Sequence, residues 1–444
     1  MTKEEIRRAL ESGDRVLSVH LIGVAGSGMS GLAGLLLAMG HRVSGSDRVT
    51  TAETERLQRE GLVFSSPHQS GEVSTAEVVV YSTAIKAGNV AFDATVALGI
   101  PMLRRAEALA SIMRRKRGIV VAGTHGKTTT SAMAAHVLRG GGLEPSHYVG
   151  AEIPILGRNA RLGDGEYFVA EGDESDGTLV EFRPEISIVL NLEAEHLDHY
   201  GDEGIEGIKK VFQVLLEQTA GVVIFCGDDE GARSVCDGRD GSIGYGFGDG
   251  CLYRGSSVRV LGQSSEFSVR RGEDLLGTVV LNIPGRHNIL NSLAVVALAT
   301  ELGVGFRAIA DALATFSGAK RRFDNRFTSE NFRVVDDYGH HPTEVAATIA
   351  AARGLEPNRV LCVFQPHRYS RTKLLREDFG RAFDGVDELF VTDVYAASEA
   401  PIDGVSGETI VSAVNENGGS AVSTPTLADA NRAAGNALRA GDLV

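Results

Sequence analysis

Short runs of β-branched residues alternate with Ala- and Leu-rich stretches of helical length from Val16 onwards. This rhythm is typical of βαβ units that build a mostly parallel sheet. The pattern therefore predicts an α/β fold. The predicted strands are Leu17–Val24, Val78–Ser82, Gly118–Ala122, Ile186–Asn191, Val222–Phe225, Arg333–Asp336, Arg359–Phe364 and Glu388–Asp393.

The chain has 444 residues, which is more than one hydrophobic core usually serves. Two segments resemble domain junctions, namely the basic stretch Arg114–Arg117 and the segment Phe316–Arg322 after an Ala-rich helix. We therefore predict three domains, at residues 1–115, 116–317 and 318–444. Residues Arg439–Val444 resemble a turn before a strand that does not follow, which suggests a C-terminal domain cut short.

The composition narrows the classes of partner. A formal net charge of −14 argues against a nucleic acid or an anionic membrane surface, because both require a basic face. No run reaches the roughly 18 apolar residues that a membrane span needs. The four cysteines form no C-x-x-C pair, so we predict reduced thiols and a cytoplasmic protein.

A phosphate-binding loop follows the predicted strand Gly118–Ala122. The segment Gly123–Thr130 reads Gly-Thr-His-Gly-Lys-Thr-Thr-Thr and precedes a helical run. Its glycines let backbone N–H groups point at phosphate oxygens, Lys127 balances the phosphate charge, and the Thr128 hydroxyl can bind Mg²⁺. Val121 stands where the longer form of this motif has its first glycine, so the loop is a shortened variant. We predict ATP as its ligand.

A second glycine-rich loop follows the first predicted strand. It contains Gly23 and the segment Gly26–Gly31, and Asp47 ends the next strand. This spacing fits the dinucleotide fingerprint, with the acid placed to bind a ribose hydroxyl. NAD(P), a UDP-sugar and a ligand-free packing turn all remain open at this point. No constellation further along the chain suggests hydride chemistry, so we favour a UDP-sugar.

Two acidic segments follow later strands. Glu171–Asp176 holds four acids among six residues, a density that requires cations or hydrogen-bond donors nearby. Glu171, at the end of a short β run, is well placed to bind Mg²⁺. The next strand leads to Glu193, Glu195 and His196 at the same edge of the sheet, where open α/β sheets bind ligands.

Seven motifs, in order along nearly the whole chain, resemble those of the Mur ligase family. They are G-T-H-G-K-T-T, E-G-D-E-S-D, N-x-E-A-E-H-x-D, G-R-H-N-I-L-N, R-R-F-D, D-D-Y-G-H-H-P-T-E-V and Q-P-H-R-Y-S-R-T. The first is shared with folylpolyglutamate synthases, so the later ones make the resemblance specific. It implies three α/β domains: a Rossmann-like N-terminal domain, a P-loop ATPase-like central domain with a mostly parallel sheet, and a Rossmann-like C-terminal domain.

The resemblance also implies an activity. Mur ligases use ATP to phosphorylate a carboxylate and pass the acyl group to an amine in peptidoglycan precursor synthesis. The motif at Gln365–Thr372 points to UDP-N-acetylmuramate and L-alanine as the substrates. The implied cofactors are ATP and Mg²⁺, with Mn²⁺ as a substitute, and the implied state is a monomer or weak homodimer.

Site residues follow from the resemblance, position by position. The sets are Gly26, Gly28, Asp47, Ser82 and Thr83 for the UDP-sugar; Gly123, Thr124, His125, Gly126, Lys127, Thr128, Thr129, Asn288, Asn291, Arg322 and Asp337 for ATP; Thr128, Glu171 and His196 for the metal; Tyr338, His340, Arg368 and Arg371 for L-alanine; and Lys127, Glu171, His196 and Arg322 for catalysis.

Some of these assignments have alternatives in the sequence itself. Helix capping would explain Asn288 and Asn291 equally well, and Arg368 and Arg371 could be surface charges on a loop. The base that takes the proton of the amine could be His196 or His340. Rival functions are a muropeptide-recycling Mur ligase, a module that senses UDP-sugars without chemistry, and an NAD-dependent oxidoreductase.

Overall fold

The computed structural model describes residues 1–195, 200–397 and 399–444. The α-helices over these residues are α1 Lys3–Ser12, α2 Ser27–Ala38, α3 Ala52–Arg59, α4 Val90–Ala97, α5 Arg105–Met113, α6 Lys127–Gly140, α7 Gly204–Glu217, α8 Glu230–Cys236, α9 Arg286–Glu301, α10 Phe306–Thr315, α11 Pro342–Arg353, α12 Tyr369–Leu374, α13 Arg376–Ala382, α14 Gly407–Glu416 and α15 Leu427–Ala437.

The strands over the same residues are β1 Ser18–Ile22, β2 Arg42–Ser46, β3 Val63–Ser65, β4 Val78–Tyr81, β5 Met102–Arg104, β6 Arg117–Ala122, β7 Ser146–Tyr148, β8 Ala160–Arg161, β9 Tyr167–Glu171, β10 Ile186–Val189, β11 Val223–Cys226, β12 Ser242–Gly246, β13 Tyr253–Leu261, β14 Ser264–Arg271, β15 Asp274–Leu281, β16 Asp324–Thr328, β17 Phe332–Asp336, β18 Arg359–Phe364, β19 Glu388–Val391, β20 Ala421–Ser423 and β21 Asp442–Leu443. Each of the predicted strands coincides with one of these, so the α/β prediction is confirmed.

The first sheet has the order β3-β2-β1-β4-β5, and all of its strand pairs are parallel. Such a sheet needs helices on its faces. Helix α2 supplies one cover, because Leu32 and Leu36 are fully buried beside Leu21 of β1 in one hydrophobic cluster. The glycine-rich loop between β1 and α2 therefore lies at the carboxyl edge of this sheet.

The second sheet has the order β15-β14-β13-β12-β11-β10-β6-β9-β7-β8. Strand β6 lies in parallel between β9 and β10. Since the carboxyl ends of parallel strands meet at one edge, the loop after β6 and the acidic segments after β9 and β10 converge there. This arrangement brings the residues predicted to bind ATP and Mg²⁺ to one edge of the sheet.

The third sheet has the order β16-β17-β21-β18-β19-β20 and is parallel except for the β16–β17 pair. Strand β21 pairs with both β17 and β18. The prediction that no strand follows Arg439 was therefore wrong. The strand is only two residues long, too short for a periodic pattern, and it is held by neighbours more than 80 residues away in sequence.

The described residues form two compact units. One comprises Met1–Ser256, Ser268–Val279 and Leu290–Phe316, and the other comprises Ser257–Phe267, Val280–Ile289 and Ser317–Val444. The change from one unit to the other at Phe316 falls within the predicted junction Phe316–Arg322. The three-domain division at residues 115 and 317 stays a prediction.

Two predictions from composition concern the thiols and the membrane. Cys226, Cys236 and Cys251 are free and buried, and Cys362 is free and partly buried, as predicted. No helix within residues 1–195, 200–397 and 399–444 combines the length and apolar character needed to cross a membrane.

Leu443 tests the importance of the last strand. Its side chain is 5% exposed and packs with Ala352 and Val360. We expect Leu443→Ala to lower the free energy of unfolding by about 2 to 5 kcal/mol, because it leaves a cavity in this small core. Val422→Ala, on the exposed face of β20, is the control and should change it by less than about 0.5 kcal/mol. Equal effects in chemical denaturation would contradict the structural role of β21.

Candidate active site

The loop after β6 has the shape of a phosphate cradle. Gly123 and Gly126 have φ angles of +146° and +83°, and helix α6 begins at Lys127. A β-carbon on Gly123 would come within 2.9 Å of the Leu190 β-carbon, and one on Gly126 would come within 2.9 Å of Asn291 Oδ1. Only glycine fits at these two positions, and the helix N-terminus that follows favours anions.

Lys127 is held at the centre of this loop. Its Nζ donates to the carbonyl oxygens of Gly123 at 2.6 Å and Thr124 at 3.0 Å, and to both carboxylate oxygens of Glu174 at 3.0 and 2.9 Å. Burial acts to lower the pKa of Lys127, but the charges of Glu174 and Asp173 outweigh it and raise that pKa above its ordinary value. The side chain is therefore a fixed cation.

Two of the predicted metal ligands are adjacent. The Thr128 hydroxyl donates to Glu171 Oε1 at 2.9 Å, and the Gly150 N–H donates to Glu171 Oε2 at 2.7 Å. A hydroxyl and a carboxylate are hard oxygen donors, which is the ligand type that Mg²⁺ prefers. These residues thus fit the ion. The third predicted ligand, His196, lies outside the described residues.

Asn191 fastens the phosphate loop to β10. Its Oδ1 accepts from the His125 N–H at 2.7 Å, and its Nδ2 donates to the His125 carbonyl at 3.1 Å. The Thr124 hydroxyl accepts from the Glu193 N–H at 2.9 Å. The predicted ATP residues Thr124 and His125 are thereby fixed in the loop, and Thr129 follows in the first turn of α6.

The glycine-rich loop after β1 is braced by Asp47. The Asp47 carboxylate accepts from the Ala25 N–H at 2.9 Å and from the Arg48 N–H at 2.7 Å. Its predicted role was a contact to ribose. In the structure it stabilises the loop that precedes α2, and the ribose contact stays a prediction.

A cleft of about 380 Å³ joins this loop to the acidic segment after β9. Its lining includes Gly26, Gly28, Ser82, Thr83, Arg105 and Glu171. Four of the five residues predicted for the UDP-sugar thus share one cleft with a predicted metal ligand. Asp47 is not part of that lining.

Arg105 and Tyr148 are functional candidates that the sequence did not reveal. Arg105 Nη1 donates to Tyr148 Oη at 2.9 Å, and Tyr148 Oη donates to the Gly28 carbonyl at 2.9 Å. Arg105 Nη2 lies 3.4 Å from Asp173 Oδ2. Burial opposes ionisation of Asp173, yet Lys127 and Arg105 hold the pKa of its carboxyl below the ordinary value. Neither Arg105 nor Tyr148 belongs to a motif, so no local signal marks them.

The predicted adenine contacts are both buried, at 7% exposure each. Asn291 lies beside Gly126 of the phosphate loop, since a β-carbon on Gly126 would come within 2.9 Å of Asn291 Oδ1. Asn288 donates through Nδ2 to the Pro284 carbonyl at 2.6 Å, which is a local turn contact. Their role toward adenine stays a prediction.

In the second unit, Asp337 organises the loop after β17. Its carboxylate accepts from the N–H groups of Phe323 and Gly339, both at 2.7 Å, and from the Thr348 hydroxyl at 3.1 Å. Arg322 Nη1 lies 3.5 Å from Glu344 Oε1. These contacts hold the loop that carries Tyr338 and His340.

The residues predicted for L-alanine gather around a row of rings. The ring centroids of Tyr338 and His340 are 5.1 Å apart, and those of His340 and His367 are 5.5 Å apart. Arg371 is 8% exposed, so it is not a surface charge on a loop. Arg368 adopts φ +73°, a strained conformation for a residue with a side chain, of the kind that clusters at functional sites. Sequence reasoning missed His367 although it lies inside the motif Gln365–Thr372.

Comparison with known proteins identifies the family. Residues 18–117 match the model of the Mur ligase family, catalytic domain. Residues 121–299 match the Mur ligase middle domain, and residues 321–444 match the Mur ligase, glutamate ligase domain. The matched residues make up most of the chain.

Curated relatives agree over nearly the full length. The UDP-N-acetylmuramate--L-alanine ligase of Desulforamulus reducens is 42% identical, with 96% of this chain and 93% of that protein covered. The protein of the same name from Solidesulfovibrio magneticus is 43% identical, with 97% and 94% covered.

Solved structures confirm the fold class. The crystal structure of UDP-N-acetylmuramate-alanine ligase from Thermotoga maritima matches with a TM-score of 0.82 at 27% identity, covering 96% of this chain and 94% of that one. A murein peptide ligase from Psychrobacter arcticus matches with a TM-score of 0.71 at 22% identity, covering 96% and 94%, and supports the fold alone. The phosphate loop, and the cleft that joins the glycine-rich loop to Glu171, agree with these matches. The chain therefore belongs to the Mur ligase family.

Proposed function

We propose that this protein joins L-alanine to the lactyl carboxylate of UDP-N-acetylmuramate at the expense of ATP, in the cytoplasm, as a step of peptidoglycan precursor synthesis. One observation carries the proposal. The cleft that begins at Gly26 and Gly28 ends at Glu171, whose carboxylate accepts from Thr128 of the phosphate loop. A sugar acid with its diphosphate at the glycine-rich loop would extend its carboxylate toward the phosphate loop.

The chemistry needs ATP because a carboxylate is a poor electrophile. Transfer of the γ-phosphoryl group makes an acyl phosphate, and the amine then displaces phosphate to form the amide. Phosphoryl transfer depends mainly on positioning and on charge stabilisation. Lys127 suits this task because it is a buried cation already fixed by two carbonyl oxygens and Glu174.

Thr128 and Glu171 would hold Mg²⁺, with Mn²⁺ as a substitute, and His196 joins them by resemblance. The ion would supply positive charge to the phosphate oxygens. The roles of Asn288, Asn291, Arg322 and Asp337 toward ATP, and of Tyr338, His340, Arg368 and Arg371 toward L-alanine, are likewise inferred from the family.

The experiment that tests the proposal is phosphate release from ATP with Mg²⁺ and UDP-N-acetylmuramate, with each of the 20 common amino acids added singly. We expect release with L-alanine and weaker release with glycine or L-serine. Release with a different amine would keep the ligase chemistry and refute the substrate. No release with any amine would favour a binding module without chemistry.

Lys127→Met removes the loop cation and keeps the length of the side chain. We expect the rate of phosphate release to fall by at least about 100-fold, because loss of one preorganised charge contact typically costs that much. Lys210→Met, on the exposed face of α7, is the matched control and should retain the wild-type rate. A wild-type rate in Lys127→Met would refute the assignment of the phosphate loop.

Arg105→Met tests the newly identified cation of the cleft. We expect the dissociation constant for UDP-N-acetylmuramate, measured by calorimetry, to rise by about 10- to 100-fold, as loss of a charged hydrogen-bond donor implies. ATP affinity should stay the same.

The neighbouring Arg104 offers the control, because it is exposed and does not line the cleft. Arg104→Met should bind the UDP-sugar normally. If both arginine variants bound it equally well, Arg105 would have no part in sugar recognition.

A further inference from the structure

The amino edge of the second sheet carries a separate cleft of about 660 Å³. Strand β6 begins there at Arg117 and ends at Ala122, before the phosphate loop, so its two ends lie roughly 17 Å apart at about 3.3 Å per residue. The lining also includes Gly165, just before β9, and Glu185, just before β10. A small ligand in this cleft would therefore be distinct from one at the phosphate loop.

Basic side chains dominate the lining of this cleft. Two carboxylates, those of Glu166 and Glu185, accompany five cations, which leaves an excess of three positive charges on a chain whose net charge is −14. Four of the cations are consecutive, in the segment predicted above to be a domain junction. The five are Arg114, Arg115, Lys116, Arg117 and Arg183. A concave surface with such an excess attracts anions.

Both carboxylates of the lining bind the same cation. Arg117 Nε donates to Glu185 Oε2 at 2.6 Å, and Arg117 Nη1 donates to Glu166 Oε2 at 3.0 Å. Arg114 has its carboxylate partner outside the lining, because its Nη1 lies 2.5 Å from Glu11 Oε1 of α1. Two of the five cations are thus paired.

The other three cations have no such partner. No carboxylate in the part of the chain that the structure describes forms an ion pair with Arg115, Lys116 or Arg183. Arg183 is oriented instead by backbone, since its Nη1 donates to the carbonyl oxygens of Val180 at 3.0 Å and Phe182 at 3.1 Å. Carbonyl oxygens accept hydrogen bonds but carry no net charge, so the positive charge stays uncompensated.

Lys116 is also held in place by carbonyl oxygens. Its Nζ donates to the Gly165 carbonyl at 2.6 Å and to the Gly163 carbonyl. A β-carbon on Gly163 would collide with the Glu144 carbonyl oxygen, and one on Gly165 would collide with the Leu143 carbonyl oxygen. Only glycine fits at these two positions, so the turn that orients Lys116 is tightly packed. The cation is fixed before any ligand arrives.

The cations of the cleft also repel one another. Burial, with the charge of Arg115 and against that of Asp164, lowers the pKa of Lys116. Burial, with the charge of Arg114 nearby, lowers the pKa of Arg183. A negative charge between these groups would favour their protonated forms and relieve the repulsion.

The lining also indicates the class of anion. Guanidinium groups bind phosphate oxygens through parallel N–H donors, and three cations without carboxylate partners suit more than one phosphate group. None of the residues that line the cleft is aromatic, so a nucleobase would find no ring to stack on. We propose that this cleft binds a compact anion with two or more phosphate groups and no base, held by Arg115, Lys116 and Arg183. The site is independent of the ligase activity, because it lies at the other edge of the sheet.

Calorimetric titration of the full chain with inorganic pyrophosphate tests this site, in buffer without Mg²⁺ or phosphate. Arg183→Gln keeps a polar side chain and removes the charge. We expect it to raise the dissociation constant by about tenfold or more, as loss of a charged hydrogen-bond donor implies. Arg115→Gln should weaken binding in the same way, and circular dichroism shows whether each variant is folded. Lys127→Met, which changes the phosphate loop, should leave this binding intact.

Arg233→Gln, exposed on α8 and outside the lining, is the matched control and should bind pyrophosphate like the wild type. Equal weakening in Arg233→Gln would mean unspecific attraction of charge and would overturn the proposal. So would wild-type affinity in both Arg183→Gln and Arg115→Gln, or a loss of binding in Lys127→Met alone, which would place pyrophosphate at the phosphate loop. Absence of any binding at millimolar pyrophosphate would also refute the site.

The class of ligand is tested with orthophosphate and ADP in the Lys127→Met chain. We expect orthophosphate to bind at least about tenfold more weakly than pyrophosphate, because it reaches fewer of the three cations. Equal affinity for the two would overturn the requirement for a second phosphate group. ADP binding that is tighter than that of pyrophosphate, and that Arg183→Gln removes, would show that the cleft accepts a base and would overturn the class proposed.

Discussion

The structure of the first unit depends on one buried positive charge at the phosphate loop, the ammonium group of Lys127. An ammonium removed from water costs several kcal/mol unless it is paired and hydrogen-bonded. Lys127 meets that cost with two carbonyl oxygens of its own loop and the carboxylate of Glu174. Glu174 can reach it only because β6 and β9 are parallel neighbours whose carboxyl ends share an edge. The pairing of this buried charge therefore depends on β6 and β9 being neighbours in the sheet.

The segment from Tyr148 to Gly150 extends this constraint to the glycine-rich loop. Tyr148 donates to the Gly28 carbonyl, and the Gly150 carbonyl accepts from the Ser27 hydroxyl at 2.7 Å. The Gly150 N–H donates to Glu171 on the other side. One short segment therefore touches both the loop proposed for the sugar diphosphate and the acid proposed for the metal. Holding two bound reactants at a fixed distance turns a bimolecular reaction into an effectively unimolecular one.

The sequence predicted the strands and the phosphate loop because both are local patterns. Strand Gly118–Ala122 followed by Gly-Thr-His-Gly-Lys-Thr needs no distant residue to be recognised. Arg105, Tyr148 and β21 could not be predicted in this way. Arg105 becomes a candidate through its hydrogen bond to Tyr148, 43 residues further along the chain. Strand β21 forms by pairing with strands that precede it by more than 80 residues. Glu171 was chosen from the sequence, and Glu174 lies in the same recognised acidic segment, but the pairing of Glu174 with Lys127 could be seen only in the fold.

Our central proposal is that the carboxylate of the sugar acid is activated by phosphorylation in the cleft that joins the glycine-rich loop to Glu171. Its most direct test uses UDP-N-acetylmuramate labelled with ¹⁸O in the lactyl carboxylate, with ATP, Mg²⁺ and L-alanine in unlabelled water. We expect one ¹⁸O atom in each inorganic phosphate formed, found by mass spectrometry, because the acyl phosphate passes a carboxylate oxygen to phosphate. Phosphate without ¹⁸O would mean that water receives the phosphoryl group, and it would contradict the account.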